Sequence, residues 1–246
     1  MKLVKLLANL GYGSRREVQG MIRDGKVTDD HGVVLGKHEF PGHERIRVRG
    51  RALDPAFPLT IVLNKPTGFT CSTDDPGDTI YDLLPVRFSL RKPGLNPVGR
   101  LDKETSGLLL LTDDGKLLHK VIHPKSECHK VYHAVLDRPL EGHEGALFSS
   151  GELVLKDETR PLLPAGFERL GEKEALVTLR EGRYHQVRRM FAAAGNHVVE
   201  LRRLSIGGFR LPEDLEEGEW RALTGDELER LFDESLSDAS RAREDG

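Results

Sequence analysis

The first ten residues place Leu3, Leu6, Leu7 and Leu10 at i, i+3, i+4 and i+7, the spacing of a single helix face. Gly11 and Gly13 break that helix. Ser14-Arg15-Arg16-Glu17 has the form of a capping box, in which the serine and glutamate side chains satisfy free backbone donors, so it predicts a second short helix burying Val18, Met21 and Ile22. Gly25 suits the end of that helix. Lys26-Val27-Thr28 and Val33-Val34-Leu35 flank the turn residues Asp29 to Gly32 and predict a hairpin. Asp54-Pro55-Ala56-Phe57-Pro58 then reads as a linker, its prolines restricting the chain.

Beyond the linker the pattern changes. Residues 59–63, 131–136, 153–155 and 175–179 are short β-favouring runs, and Leu108 to Leu111 is an apolar run bounded by a glycine and a turn. Helices are predicted over 116–122, over 185–194 and, behind the Thr224 to Glu227 capping box, over 226–236. The mixture predicts an α+β protein. A small unit over 1–57 precedes a larger one over 58–236, built on an extensive, mainly antiparallel mixed sheet with flanking helices. Residues 237–246 are too polar to pack and are expected to form a disordered acidic tail.

Charge and composition narrow the function. The formal net charge of −3 hides an asymmetry: residues 1–212 carry 33 Lys/Arg against 27 Asp/Glu, and the last 34 residues carry 4 against 13. A basic body with an acidic tail suits a polyanionic partner. No run approaches the ~20 apolar residues of a membrane span, and the N-terminus lacks the continuous apolar region of a secretion signal, so a cytoplasmic protein is expected. Cys71 and Cys128 are too few for a disulfide scaffold or a zinc ribbon.

Three places concentrate reactive side chains. Gly99-Arg100-Leu101-Asp102-Lys103-Glu104-Thr105-Ser106-Gly107 puts a carboxylate on a glycine-bounded loop before a buried strand, where a rigid scaffold can present it to a substrate. Turn residues alone would give the same composition. Lys130-Val131-Tyr132 opens a strand, and Gly182 to Phe191 mixes aromatic, basic and amide groups where a helix begins. His119 and His123, or His129 and His133, could suggest a metal. The second pair lies on a predicted strand, ~13 Å apart, and the first lacks a glutamate, so no metal is expected.

Taken together, Gly99-Arg100-Leu101-Asp102 with Thr105-Ser106-Gly107, Lys130-Val131-Tyr132, and Gly182-Arg183-Tyr184-His185-Gln186-Val187-Arg188-Arg189 resemble the successive motifs of the RsuA family of pseudouridine synthases. The opening Asn64-Lys65-Pro66 and Gly68 of the large unit match as well. The N-terminal unit resembles an S4 RNA-binding domain. The resemblance implies isomerisation of a uridine in ribosomal RNA, with no cofactor. It makes Asp102 the nucleophile, Tyr132 a base-stacking and proton-transfer group, and Arg188 the ion-pair partner of Asp102.

For RNA binding the resemblance implies Ser14, Arg15, Arg16 and Lys26 in the small unit, where a helix N-terminus and arginines suit phosphate. In the large unit it implies Lys65, Arg100, Arg183, Tyr184, His185, Gln186 and Arg189, with Arg100 filling the gap left by a flipped base or holding its phosphate. Residues 71–76, 184–186 and 192–201 are most similar to the branch acting on 16S rRNA, with a 23S rRNA synthase of the same family as the alternative. The expected partner is therefore 16S rRNA or an assembly particle, bound by a monomer. A non-catalytic RNA-binding or ribosome-assembly protein is the competing class, and it would tolerate loss of Asp102.

Overall fold

The structure is a computed structural model that describes residues 3–72, 76–123, 126 and 128–233. The leucine stripe forms helix α1 (Leu3–Asn9), and all four leucines are buried. Helix α2 (Arg15–Arg23) begins at the expected capping box: the Glu17 amide donates to Ser14 Oγ at 3.3 Å, and the Ser14 amide to Glu17 Oε2 at 2.6 Å. The predicted hairpin shrinks to an isolated bridge between Thr28 and Val34. Strand β1 (Val27–Thr28) pairs instead with β2 (Arg47–Val48), which pairs with β3 (Arg51–Ala52). Val33 and Val34 are exposed, so burial does not hold a longer hairpin there.

The chain then passes through β4 (Thr60–Lys65), α3 (Val86–Ser89), β5 (Asn96–Val98), β6 (Thr105–Thr112), α4 (Gly115–Ile122) and β7 (Lys130–Leu136). It continues through α5 (Glu144–Ser149), β8 (Gly166–Arg169), β9 (Glu174–Leu179), α6 (Gln186–Ala193), β10 (Val198–Ile206), β11 (Phe209–Arg210), β12 (Trp220–Ala222) and α7 (Gly225–Arg230). Among the described residues nine strands form one sheet in the order β12-β4-β6-β10-β7-β9-β8, with β11 on β10 and β5 on β6. Only the β6–β10 pair in it is parallel. The expected run at 153–155 is not a strand; Leu155 is buried, but the segment belongs to a loop held by side chains from α6. The last helix ends at Arg230, and the expected acidic tail lies outside the described residues.

The strand β6 organises the sheet. Apolar side chains cover both of its faces, as its near-continuous leucine run requires. Along one edge it pairs with β4, and the other edge is shared: β10 takes Thr105 to Gly107 and β5 takes Leu110 to Thr112. The connection from β5 to β6, residues 99–104, therefore emerges beside the point where β10 joins.

Polar contacts fasten the small unit to the large one. Arg87 makes a two-pronged pair with Asp54 at 2.7 and 2.9 Å, and the Lys92 amide donates to Asn9 O at 2.8 Å. Arg91 is buried, donating to Asp113 at 2.9 Å and to Pro55 O at 3.0 Å while lying over the Phe57 ring. Such a pair is costly to break because its partner is left charged and dry.

At the far end, Glu227 accepts from Arg221 at 2.7 and 2.9 Å and from the Thr224 amide at 2.9 Å, which pushes its carboxyl down to about 2. Its folded value lies below the ordinary 4.5, so this stabilisation is complete above about pH 4.5 and is lost as the pH falls through about 2. Urea titrations should show Glu227→Gln less stable than the parent at neutral pH, with the gap closing across that acidic window.

Candidate active site

A cavity of about 560 Å³ opens where the 99–104 loop, β7, β10 and the start of α6 meet, and its walls include Arg100, Asp102, Tyr132, His185 and Arg203. The Asp102 side chain is about one-third exposed, reachable yet backed by the sheet. Three cations fix the backbone beneath it. Lys65, fully buried at the end of β4, donates to the carbonyls of Pro66, Asp102, Lys103 and Thr105 at 2.9 to 3.3 Å. Burial pulls its ammonium below the ordinary lysine value, opposed by the negative groups around it, Glu104 and Asp102 among them. Arg203, 1% exposed on β10, donates to Leu108 O at 2.8 Å and Gly99 O at 3.2 Å.

Arg188 is the third. Its guanidinium donates to Glu104 O at 2.7 Å and to Val198 O at 2.8 Å, tying α6 to the loop and to β10. The expected ion pair between Arg188 and Asp102 is absent from the structure, where the guanidinium donates to those two carbonyls instead. Among the described residues, the side chain within ion-pair distance of Asp102 is His185, with Nε2 3.5 Å from Oδ1, a contact that is an ion pair only with the imidazole protonated. Tyr132 sits half-buried on β7 against the apolar clusters to either side, so its ring is fixed at the cavity wall.

Several residues expected to meet RNA are engaged elsewhere. Lys65 is sealed inside. Arg183 pairs with Glu158 at 3.0 Å and Glu181 at 3.1 Å; Arg189 pairs with Glu158 at 2.9 Å and donates to Lys156 O. The two arginines hold the Glu158 carboxyl below the usual range. Gln186 is buried, accepting from the Arg183 amide and donating to Glu181. Arg183 and Arg189 latch the 156–161 loop against α6. A carboxylate can occupy the arginine fork as readily as a phosphate, which is why composition alone could not assign them.

Others do face solvent. Arg100 is exposed at the cavity, and Arg15, Arg16 and Lys26 are exposed on the small unit. Ser14 is exposed too, although its hydroxyl caps α2. Lys26 also pairs with Asp24 at 3.2 Å. Tyr184 is 75% exposed, and its ring stacks on His185 with centroids 3.8 Å apart and planes at 16°. Sequence reasoning missed Arg203, whose one signal was an arginine inside a β-favouring run, and Glu158, which carried none. Among the described residues no group of three His, Cys, Asp or Glu side chains could hold a metal ion. No helix of the described residues is long and apolar enough to cross a membrane.

Comparison with known proteins places this geometry. The family model described as RNA pseudouridylate synthase matches residues 59–193, and the S4 domain model matches residues 1–38. The chain is 38% identical over 234 residues to the ribosomal small subunit pseudouridine synthase A of Vibrio cholerae, covering 94% of this chain and all of the relative. It is 40% identical over 236 residues to the protein of that name from Escherichia coli, covering 93% and 98%. A crystal structure of a pseudouridylate synthase superposes with a TM-score of 0.67 at 38% identity, covering 94% of this chain and 99% of the other.

Proposed function

We infer that this chain, which belongs to the RNA pseudouridylate synthase family, isomerises a uridine of small-subunit ribosomal RNA to pseudouridine with Asp102 as its nucleophile. The observation that carries the residue assignment is the Asp102 carboxylate itself, reachable on a loop whose backbone is held by Lys65, Arg203 and Arg188. A loop fixed from beneath keeps a reacting group aimed, so little reorganisation remains when substrate arrives.

The reaction breaks the N1–C1′ bond, turns the uracil and joins C5 to C1′. As the sugar acquires oxocarbenium character, the Asp102 carboxylate is placed to attack C1′ or to assist at the neighbouring carbon. The glycosidic bond is shielded in a stacked helix, so the target must leave its stack. Tyr132 then offers its ring to the uracil, and Arg100 takes the gap or the phosphate left behind. Arg188 acts through the loop, by holding Glu104 O two residues from the nucleophile. Arg15 and Arg16 supply salt-sensitive affinity for the phosphate backbone. The protein works as a cytoplasmic monomer on 16S rRNA or an assembly particle containing it.

The names of the relatives support the small-subunit target. Incubating the protein with 16S and 23S rRNA, free and partly assembled, and mapping pseudouridine by the reverse-transcription stops at its carbodiimide adducts is expected to find a new pseudouridine in 16S rRNA. Product confined to 23S rRNA would overturn the target assignment and leave the chemistry standing.

A further inference from the structure

Pseudouridine formation contains a proton transfer from C5 to N1, a step for which the resemblance offers the Tyr132 phenol on the cavity wall. Once C5 has joined C1′, it carries both the new bond and its original hydrogen, and C6 is doubly bonded to N1. The C5–H bond must then break: its electron pair becomes the C5–C6 double bond, the C6–N1 pair returns to N1, and N1 takes up a proton. One proton leaves carbon and one arrives at nitrogen, so no oxidant or cofactor is needed. The base for this step must lie within reach of an atom bonded directly to C1′, the carbon beside the nucleophile.

His185 meets that condition. Its Nε2 lies 3.5 Å from the Asp102 carboxylate, inside the cavity. An imidazole takes up and releases protons near neutrality, which suits general acid and base work better than an amine, guanidinium or phenol. Other candidates on the cavity wall are otherwise placed: the Lys130 ammonium donates to Cys128 O at 3.0 Å, Arg203 holds backbone carbonyls, and burial pushes the Cys71 thiol up, away from its thiolate.

The local backbone is built around this ring. His185 sits at the N-cap of α6 with φ 49° and ψ 35°, in the left-handed region that residues with a Cβ seldom occupy. Contacts flank it on both sides. The Tyr184 ring covers one face of the imidazole, Arg189 donates to Tyr184 O at 3.2 Å, and Arg183 and Gln186 are anchored to Glu181. His185 has no side-chain bond to the helix it precedes. A strained histidine that does not cap its helix and instead turns to a carboxylate is arranged for chemistry.

We propose that His185 is the base that takes the C5 proton and returns it to N1. This rests on pseudouridine formation at Asp102. The test uses the full chain and rRNA transcribed with deuterium at uracil C5. His185→Asn is the informative variant, because asparagine tolerates the left-handed backbone and removes only the imidazole; an unchanged melting temperature confirms the fold.

Loss of a general base should lower kcat by about 10²- to 10⁴-fold with KM little changed. C5–H cleavage should then become rate-limiting, so a primary deuterium isotope effect, near unity in the parent, should emerge in His185→Asn. Free imidazole should restore turnover to His185→Gly. The proposal is overturned if His185→Asn keeps its kcat, if it slows with the isotope effect still at unity and no rescue, or if the isotope effect emerges in Tyr132→Phe instead. A parent enzyme that makes no pseudouridine in any rRNA would remove the underlying reaction itself, an outcome plainly separate from an active parent with an indifferent His185.

Discussion

Asp102→Asn is expected to abolish pseudouridine formation, with turnover falling by on the order of 10⁴-fold or more, the scale seen when a nucleophile is removed. RNA affinity should change little, because the exposed cations proposed to meet phosphate are other side chains, Arg15, Arg16 and Arg100. The side chain is partly exposed, and the loop is held through backbone carbonyls rather than through the carboxylate. Asparagine should therefore leave the loop and the melting temperature as they were. Filter binding, thermal melts and product mapping on the same preparation separate these quantities. Retained turnover in a folded, RNA-bound variant would place the nucleophile elsewhere.

Gly107→Ala is expected to lower stability sharply. Gly107 pairs with Arg203 where β6 meets β10, at φ 99°, and a Cβ there would lie 2.3 Å from Arg203 O and 3.0 Å from Arg203 N. Both are backbone atoms in a sheet and cannot move aside as a flexible side chain would. Backbone strain and this clash together should cost roughly 4 kcal/mol or more, a fall in Tm of roughly 10 °C for a chain of this size. Activity should go with it, since displacing Arg203 releases its hold on Gly99 O at the start of the Asp102 loop. Gly115→Ala is the control: a Cβ there meets nothing within 4 Å, and stability should hold. A melting temperature unchanged in Gly107→Ala would contradict the described β6–β10 pairing.

These two positions mark how far the sequence could be read. The stripe of Leu3, Leu6, Leu7 and Leu10, the Ser14 capping box and the leucine run of β6 are local patterns, and local patterns survive into the fold because burial and capping act over a few residues. Strand β10 was hidden. It carries Glu200, Arg202 and Arg203 within nine residues, and only its position between β6 and β7 explains why an arginine there is buried. The predicted 153–155 strand failed for the complementary reason: apolar residues alone do not supply a partner strand, and that loop is held by Arg183 and Arg189 through Glu158.

The site divides the same way. Asp102 and Tyr132 were legible because motif order along the chain carries them, and both line one cavity. The partner of Asp102 was not, since Arg188 and His185 lie three residues apart at the start of one helix and the pattern cannot say which of them meets the carboxylate and which the loop backbone. Helix geometry and the left-handed turn at His185 decide it.

Pseudouridine formation exchanges the C5 hydrogen of the target uridine with solvent, whichever route the nucleophile takes. The most direct measurement is therefore release of tritium from small-subunit rRNA labelled at uracil C5, incubated with the purified protein. Release that the parent supports and Asp102→Asn does not is the predicted result. No release by the parent from small- or large-subunit rRNA, free or partly assembled, would contradict the enzyme described here.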